Sequence, residues 1–167
     1  MNFKIIIPST LLALLCTATL IAQDTDHNQY EAQKMKQTAA SYLERNDYSN
    51  AILFYSQAIK LAPNDVSLRR DLAYTYYLYN DNTQAQKIIT EVLDAGIADE
   101  QTYQIAAAIE SKSGNTKKAK KLLNEGLENF PNSALLYYNR GNLAIGEQKS
   151  DDAINFWLKG IAVNPSY

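Results

Sequence analysis

Small and apolar positions return along the chain every 34 residues, and the interval never slips. Ala51, Ala85, Ala119 and Ala153 form one column, and Ala39, Ala73, Ala107 and Gly141 a second. Ile59, Leu93, Leu127 and Ile161 form a third, and Pro63, Ile97, Pro131 and Pro165 a fourth. Such a period marks stacked supersecondary units, none of which buries its apolar stripe alone. The columns divide the chain at 32–65, 66–99, 100–133 and 134–167, and each unit is predicted to hold two helices. Small side chains at Ala39 and Ala51 let paired helices approach, while Tyr42 and Tyr55 fill the gaps between turns. Pro63 lacks an N–H and disfavours helix at the residue before it, so it should close a second helix. Asp65, Asp99 and Ser133 precede the next first helices, where a side-chain acceptor caps free N–H groups.

One stretch tests this reading. DLAYTYYLYN, residues 71–80, holds Tyr74, Tyr76, Tyr77 and Tyr79. Local propensity favours a strand for such an aromatic run. The register makes it the second half of a first helix instead. At about 100° per residue, Tyr74 and Tyr77 share one side and Tyr76 and Tyr79 the other. Tyr76 falls in the column of Tyr42 and is expected to be buried in packing; Tyr79 is expected to be structural too.

The N-terminus differs in kind. One positive residue, Lys4, precedes an apolar run from Ile5 to Ala22, and the chain turns polar at Gln23. This is the pattern of a secretory signal peptide (1–22), with cleavage expected between Ala22 and Gln23 and a polar leader at 23–31. A membrane anchor formed by residues 5–22 is the alternative, since the run is just about long enough to span. Lipid modification at Cys16 is a third reading, opposed by Leu15 before it and by the apolar residues after it. Cleavage removes the one cysteine, which suits an oxidising compartment and excludes a thiol nucleophile or thiolate metal site. With 16 basic against 18 acidic residues, the net charge of −2 offers no basic excess for nucleic acid.

The columns carry a resemblance. From Ala32 to Tyr167 the chain resembles the tetratricopeptide repeat family, whose pattern is aromatic-x2-Leu-Gly-x2-Tyr, then Ala-x3-Phe, then Pro. The first unit meets it with Met35, Thr38, Ala39, Tyr42, Ala51, Tyr55 and Pro63. The fourth supplies Tyr137, Gly141, Ala153, Trp157 and Pro165, with Arg140 replacing the Leu. Departures fall at Arg69 and Ile97 in the second unit and at Glu110 and Gly126 in the third. The resemblance implies an all-α, right-handed solenoid of four helix-turn-helix units, eight helices in all. It also implies a concave groove that holds a protein or peptide.

On that pattern the groove columns hold Lys36, Arg70, Tyr74, Tyr77, Gln101, Gln104, Tyr138, Asn139 and Asn142, with Gln37, Ala40, Asp71 and Ala108 beside them. Tyrosine offers rigid contact area with a polar tip, which suits peptide contacts, although such rings also serve as filler between helices. Family members that grip a C-terminal carboxylate use a Lys, Asn and Arg clamp across three units. Lys36 fits its first column, but Ala40 and Asp71 take the Asn columns, and Gln101 and Ile105 stand where Lys and Arg belong. Starting one unit later fails too, at Tyr74, Ile105 and Leu135. Chaperone binding through a carboxylate clamp is therefore not expected.

Nothing in the sequence assembles a reaction. There is one histidine, His27, in the polar leader, no glycine-rich phosphate loop and no spaced ligand cluster, so no enzyme activity, metal or cofactor is expected. Lys117, Lys118, Lys120 and Lys121 are expected to face solvent around the inward Ala119. The fourth unit ends at Tyr167 without the polar helix that closes such stacks, which should leave Leu158, Ile161 and Val163 uncovered. Three explanations follow: a longer protein, pairing of chains through this last helix, or a tolerated patch. The reading is an exported, periplasmic or cell-surface scaffold that binds a protein or peptide; a self-associating structural module is the alternative.

Overall fold

The structure, a computed structural model, describes the backbone of residues 9–166 and the side chains of residues 24–166. Lys4, Pro8 and the side chain of Cys16, on which the signal-peptide, anchor and lipidation readings rest, lie outside the described residues. Eight α-helices follow one another: α1 (Ser9–Glu44), α2 (Tyr48–Leu61), α3 (Val66–Leu78), α4 (Asn82–Asp94), α5 (Glu100–Lys112), α6 (Thr116–Asn129), α7 (Ala134–Gly146) and α8 (Ser150–Val163). Among the described residues there is no strand, and no helix is long and apolar enough to cross a membrane. The tyrosine-rich stretch is helical to Leu78, so register overrides propensity there.

Local chemistry sets the helix boundaries. Asp65, Asp99 and Ser133 cap α3, α5 and α7 by accepting from the backbone N–H of Ser67, Thr102 and Leu136. Asp47 and Asp81 do the same for α2 and α4, through Asn50 and Gln84. Helix α2 ends at Leu61, two residues before Pro63, as the missing N–H requires. Each turn inside a pair needs one residue in the left-handed region, and that residue is Asn46, Asn80, Gly114 or Gln148. The following N–H donates back to the helix it leaves: Asp47 to Tyr42, Asp81 to Tyr76, Asn115 to Glu110 and Lys149 to Ala144. These are helix-closing bonds of the Schellman type.

Packing follows the small-residue columns. Ala51, Ala85, Ala119 and Ala153 are fully buried, as are Ala39 and Ala73. One core cluster joins Ala39, Ala51, Tyr55, Ala58, Leu68 and Leu72; a second gathers around Ile89, Ala106, Ile109, Leu123 and Leu136. Tyr76 packs against both clusters, but its ring is half-buried and not fully enclosed as expected. Tyr79 is 50 % exposed, and its ring leans on Tyr48 at 6.3 Å. The first helices α3, α5 and α7 pack on one another in turn, while no second helix packs comparably on the next. The stack therefore bends with the first helices on its inner side.

Gly141 shows how tight the pairing is. A Cβ there would overlap the indole of Trp157, whose Nε1 donates to the Tyr138 carbonyl at 3.3 Å. Gly141→Ala should therefore destabilise by about 1–3 kcal/mol, as overpacking does. A urea titration checks this. The double variant Gly141→Ala/Trp157→Leu should recover part of the loss, because the clash is with the ring.

Candidate interaction groove

On the inner side the charges are already matched. Lys36 on α1 donates to Ser67 Oγ at 2.6 Å and pairs with Asp71 at 3.3 Å. Arg70 on α3 pairs with Asp71 at 3.0 Å and also with Asp99, the cap of α5. Burial pushes the Asp99 carboxyl up, but hydrogen bonds from Thr102 and the Arg70 guanidinium hold it below the ordinary carboxylate range. Two cations and two carboxylates thus alternate from α1 to the start of α5. Arg70, expected on the groove surface, is instead buried at 9 % exposure, because these pairs hold it between helices. Asp71, which takes an Asn column of the carboxylate clamp, has its charge met by Lys36 and Arg70.

Beyond this chain of charge lie the rings. Tyr74 and Tyr77 stack with centroids 6.1 Å apart. Lys112 of α5 sits 4.4 Å from the Tyr77 centroid and donates to the Tyr77 carbonyl at 2.9 Å and to Asn80 Oδ1 at 2.6 Å. The lysine thus closes the end of α3 and holds Tyr77 from above, leaving Tyr74 the more exposed ring of the pair.

Between α5 and α7 opens a cleft of about 220 Å³. Its floor is small and apolar, with Ala107, Ala108 and Leu143, and its walls carry Gln104, Ser111, Asn139 and Asn142. The Asn139 amide donates to the Leu135 carbonyl at 2.8 Å, so its oxygen is turned to other donors. Amides and a hydroxyl over small residues can form hydrogen bonds with an extended backbone that comes close.

The structure thus joins Gln104, Asn139 and Asn142 in one cleft and Tyr74 with Tyr77 in one stack. Gln101 is exposed and does not line the cleft. Tyr138 faces a different cavity of about 210 Å³, bounded by Ala134, Trp157, Gly160 and Ile161. Sequence reasoning missed Lys112 and Ser111, which carry no motif, and the ion-pair partners of the outward lysine run. Lys118 does not simply face solvent: its ammonium reaches 2.6 Å from the buried carboxylate of Glu110. Lys120 lies 3.4 Å from Glu147 on α7. Among the described residues, no cluster of His, Cys, Asp or Glu could hold a metal ion.

Helix pairs bending around such an inner surface have known counterparts. Residues 42–109 match the family described as tetratricopeptide repeat. The chain is 32 % identical over 85 residues to Protein IFIT1 homolog B of Homo sapiens, a match that covers 51 % of this chain and 18 % of that protein. The chain thus spans about a fifth of the length of this curated relative. Among solved structures it is similar to TTC0263, a thermophilic TPR protein in Thermus thermophilus. The TM-score is 0.71 at 16 % identity, covering 80 % of this chain and 75 % of that one. It is also similar to MamA from Desulfovibrio magneticus RS-1, with a TM-score of 0.68 at 15 % identity over 84 % and 80 % of the two chains. At these identities the structural likeness is one of fold. Residues 42–109 thus carry tetratricopeptide repeat sequence, and the described residues fold as an all-α solenoid of helix pairs, a fold that supports protein–protein interaction.

Proposed function

We propose that this chain is an exported, non-enzymatic scaffold that holds an extended segment of a protein partner along the inner face of α3, α5 and α7. The observation that carries the proposal is the α5–α7 cleft, where Gln104, Ser111, Asn139 and Asn142 surround a floor too small to obstruct a backbone. Gln104, Asn139 and Asn142 supply hydrogen bonds, Tyr74 and Tyr77 a flat contact surface at the near end, and Tyr138 and Gln101 the margins. Lys36 and Arg70 act from within, keeping α1, α3 and α5 in register through Asp71 and Asp99. Their charges are matched, so the partner segment needs no strong charge of its own. Export follows from the apolar run of 5–22 and the polar turn at Gln23.

The test uses the exported protein as bait for affinity capture, followed by Tyr74→Ala with Tyr138→Ala, and separately Gln104→Ala with Asn142→Ala. Each pair should reduce recovery of the captured partner several-fold while leaving helicity intact, since these side chains are exposed or line an open cleft. Undiminished capture by both pairs would remove the groove from consideration.

A further inference from the structure

The seam between α5 and α7 differs from the seam before it in what fills it. Gln104, Ala108 and Ser111 line it along α5, and Asn139, Asn142 and Gly146 along α7. Steps of three and four residues set each trio on one helix face. Counting back 34 residues gives the same columns at the seam between α3 and α5. There Tyr74 stands for Ala108, Tyr77 for Ser111 and Lys112 for Gly146. Tyr74 and Tyr77 stack at 6.1 Å, with the Lys112 ammonium 4.4 Å from the Tyr77 centroid. The chain thus packs its own rings into these columns at the earlier seam. At the later one all three large side chains are replaced by small ones, and the cleft of about 220 Å³ remains. A Cβ at Gly146 would meet nothing within 4 Å.

The lining limits what can take this place. No residue around the cleft is charged, so a charged group entering it would lose hydration without gaining a counter-charge. Ala107, Ala119 and Leu123, all buried, form an apolar back. A dry apolar cavity of about 150 Å³ takes a benzene ring, and this cleft is larger. The rim is polar. Among the described residues, the side chains of Gln104, Ser111 and Asn142 have no hydrogen-bond partner within the chain. A ring seated on the apolar back would bring its own backbone beside these amide and hydroxyl groups.

We infer that the α5–α7 cleft is a socket for one uncharged aromatic side chain of the partner segment, held where Tyr74 and Tyr77 lie one seam earlier. The inference rests on the inner face being the surface that holds the partner, and it adds the kind of residue that anchors the partner there. A rigid ring in a pocket with a polar rim is the sort of contact that carries most of an interface's affinity. The partner ring completes at the later seam the packing that the chain completes by itself at the earlier one.

N-acetyltyrosine amide and N-acetylleucine amide, titrated into the isotope-labelled full chain and followed by NMR, test the socket without a partner in hand. The tyrosine probe should shift the side-chain amides of Gln104, Asn139 and Asn142 and saturate at about millimolar concentration, as its few atoms allow. The leucine probe should bind several-fold more weakly. Gly146→Leu has room for its side chain and fills the cleft, so it should abolish the shifts with circular dichroism unchanged. A leucine probe that binds as tightly overturns the inference. So do shifts that persist in Gly146→Leu, or no shift at these amides. In affinity capture Gly146→Leu should lose the partner several-fold. If Gln104→Ala with Asn142→Ala weakens capture and Gly146→Leu does not, the socket falls and the groove stands. If no groove variant weakens capture, the groove reading falls and takes the socket with it.

Discussion

Tyr55→Ala is expected to lower stability by about 3–5 kcal/mol, the range for deleting a buried aromatic side chain. The ring is 3 % exposed on α2, packed with Ala39, Ala51, Ala58, Leu68 and Leu72 where the first pair meets the second. Because each unit of a solenoid leans only on its neighbours, the loss should concentrate at that junction. Hydrogen exchange should therefore show α1 and α2 losing protection before α5 and α6. Tyr76→Ala, with a half-buried ring, should lose less, and Tyr79→Ala, with half of its surface in solvent, least. The phenol gives a second signature. Burial, with Asp71 adding to it against Arg70, pushes the Tyr55 hydroxyl up to about 12 from an ordinary 10.0. A group raised on folding stabilises fully below its unfolded value and loses that contribution as the pH climbs through the folded one. Wild-type stability should thus fall between about pH 10 and pH 12, and Tyr55→Phe should flatten that fall. An equal loss of stability in Tyr55→Ala and Tyr79→Ala would contradict this packing.

Glu110→Ala is expected to cost about 2–4 kcal/mol, for the void left behind and for the charge-assisted hydrogen bonds removed. Glu110 stands in the column of Tyr42, Tyr76 and Ala144, yet its side chain is 2 % exposed. It is tolerated because its oxygens are fully engaged. Gln86 and Asn115 each donate at 2.8 Å, and Lys118 approaches to 2.6 Å. The carboxylate thereby ties α4, α5 and α6 together through one atom group. Burial pushes its pKa up, but the bonds from Lys118, Gln86 and Asn115 prevail and hold it below the ordinary 4.5. The sign is opposite to that of Tyr55. A carboxyl lowered on folding stabilises above its unfolded value, and that contribution is lost as the pH falls through the folded one. Acid titration of stability should thus steepen below about pH 4.5 in the wild type and less in Glu110→Gln. Asp99 and Glu147 are lowered as well and should leave a residual slope in that variant. Identical acid profiles for wild type and Glu110→Gln would remove Glu110 from this role.

These two residues show how far the sequence could be read. Tyr55 sits in an unbroken column with Ile89, Leu123 and Trp157, so its inward direction follows from period alone. Glu110 breaks its column, and the sequence marks it only as a departure. Its partners Gln86 and Lys118 lie 24 residues before and eight after, on neighbouring helices, and no spacing rule points to them. The groove divides in the same way. Gln104, Asn139 and Asn142 meet as their columns imply. Arg70 does not reach the surface, because Asp99, 29 residues on, turns it inward. The exposed stripe of α8 was legible at Leu158 and Ile161, while the cavity beside it was not, since that depends on how Trp157 lies over Gly141.

By itself, then, the sequence determined the caps of α3, α5 and α7, the end of α2 and which sides of the helices face inward. It did not determine the start of α1, which runs unbroken through the expected leader at 23–31. Caps such as Asp65 and Ser133, the stop before Pro63 and the alanine columns act within a few residues of themselves or repeat at a constant period. Only the tertiary structure decided which polar side chains are consumed in holding the stack and which remain exposed. That choice depends on charges and rings from different helices arriving within hydrogen-bond distance, as Arg70 does at Asp99 and Lys112 at Asn80. Their desolvation is settled by packing, which no local pattern encodes.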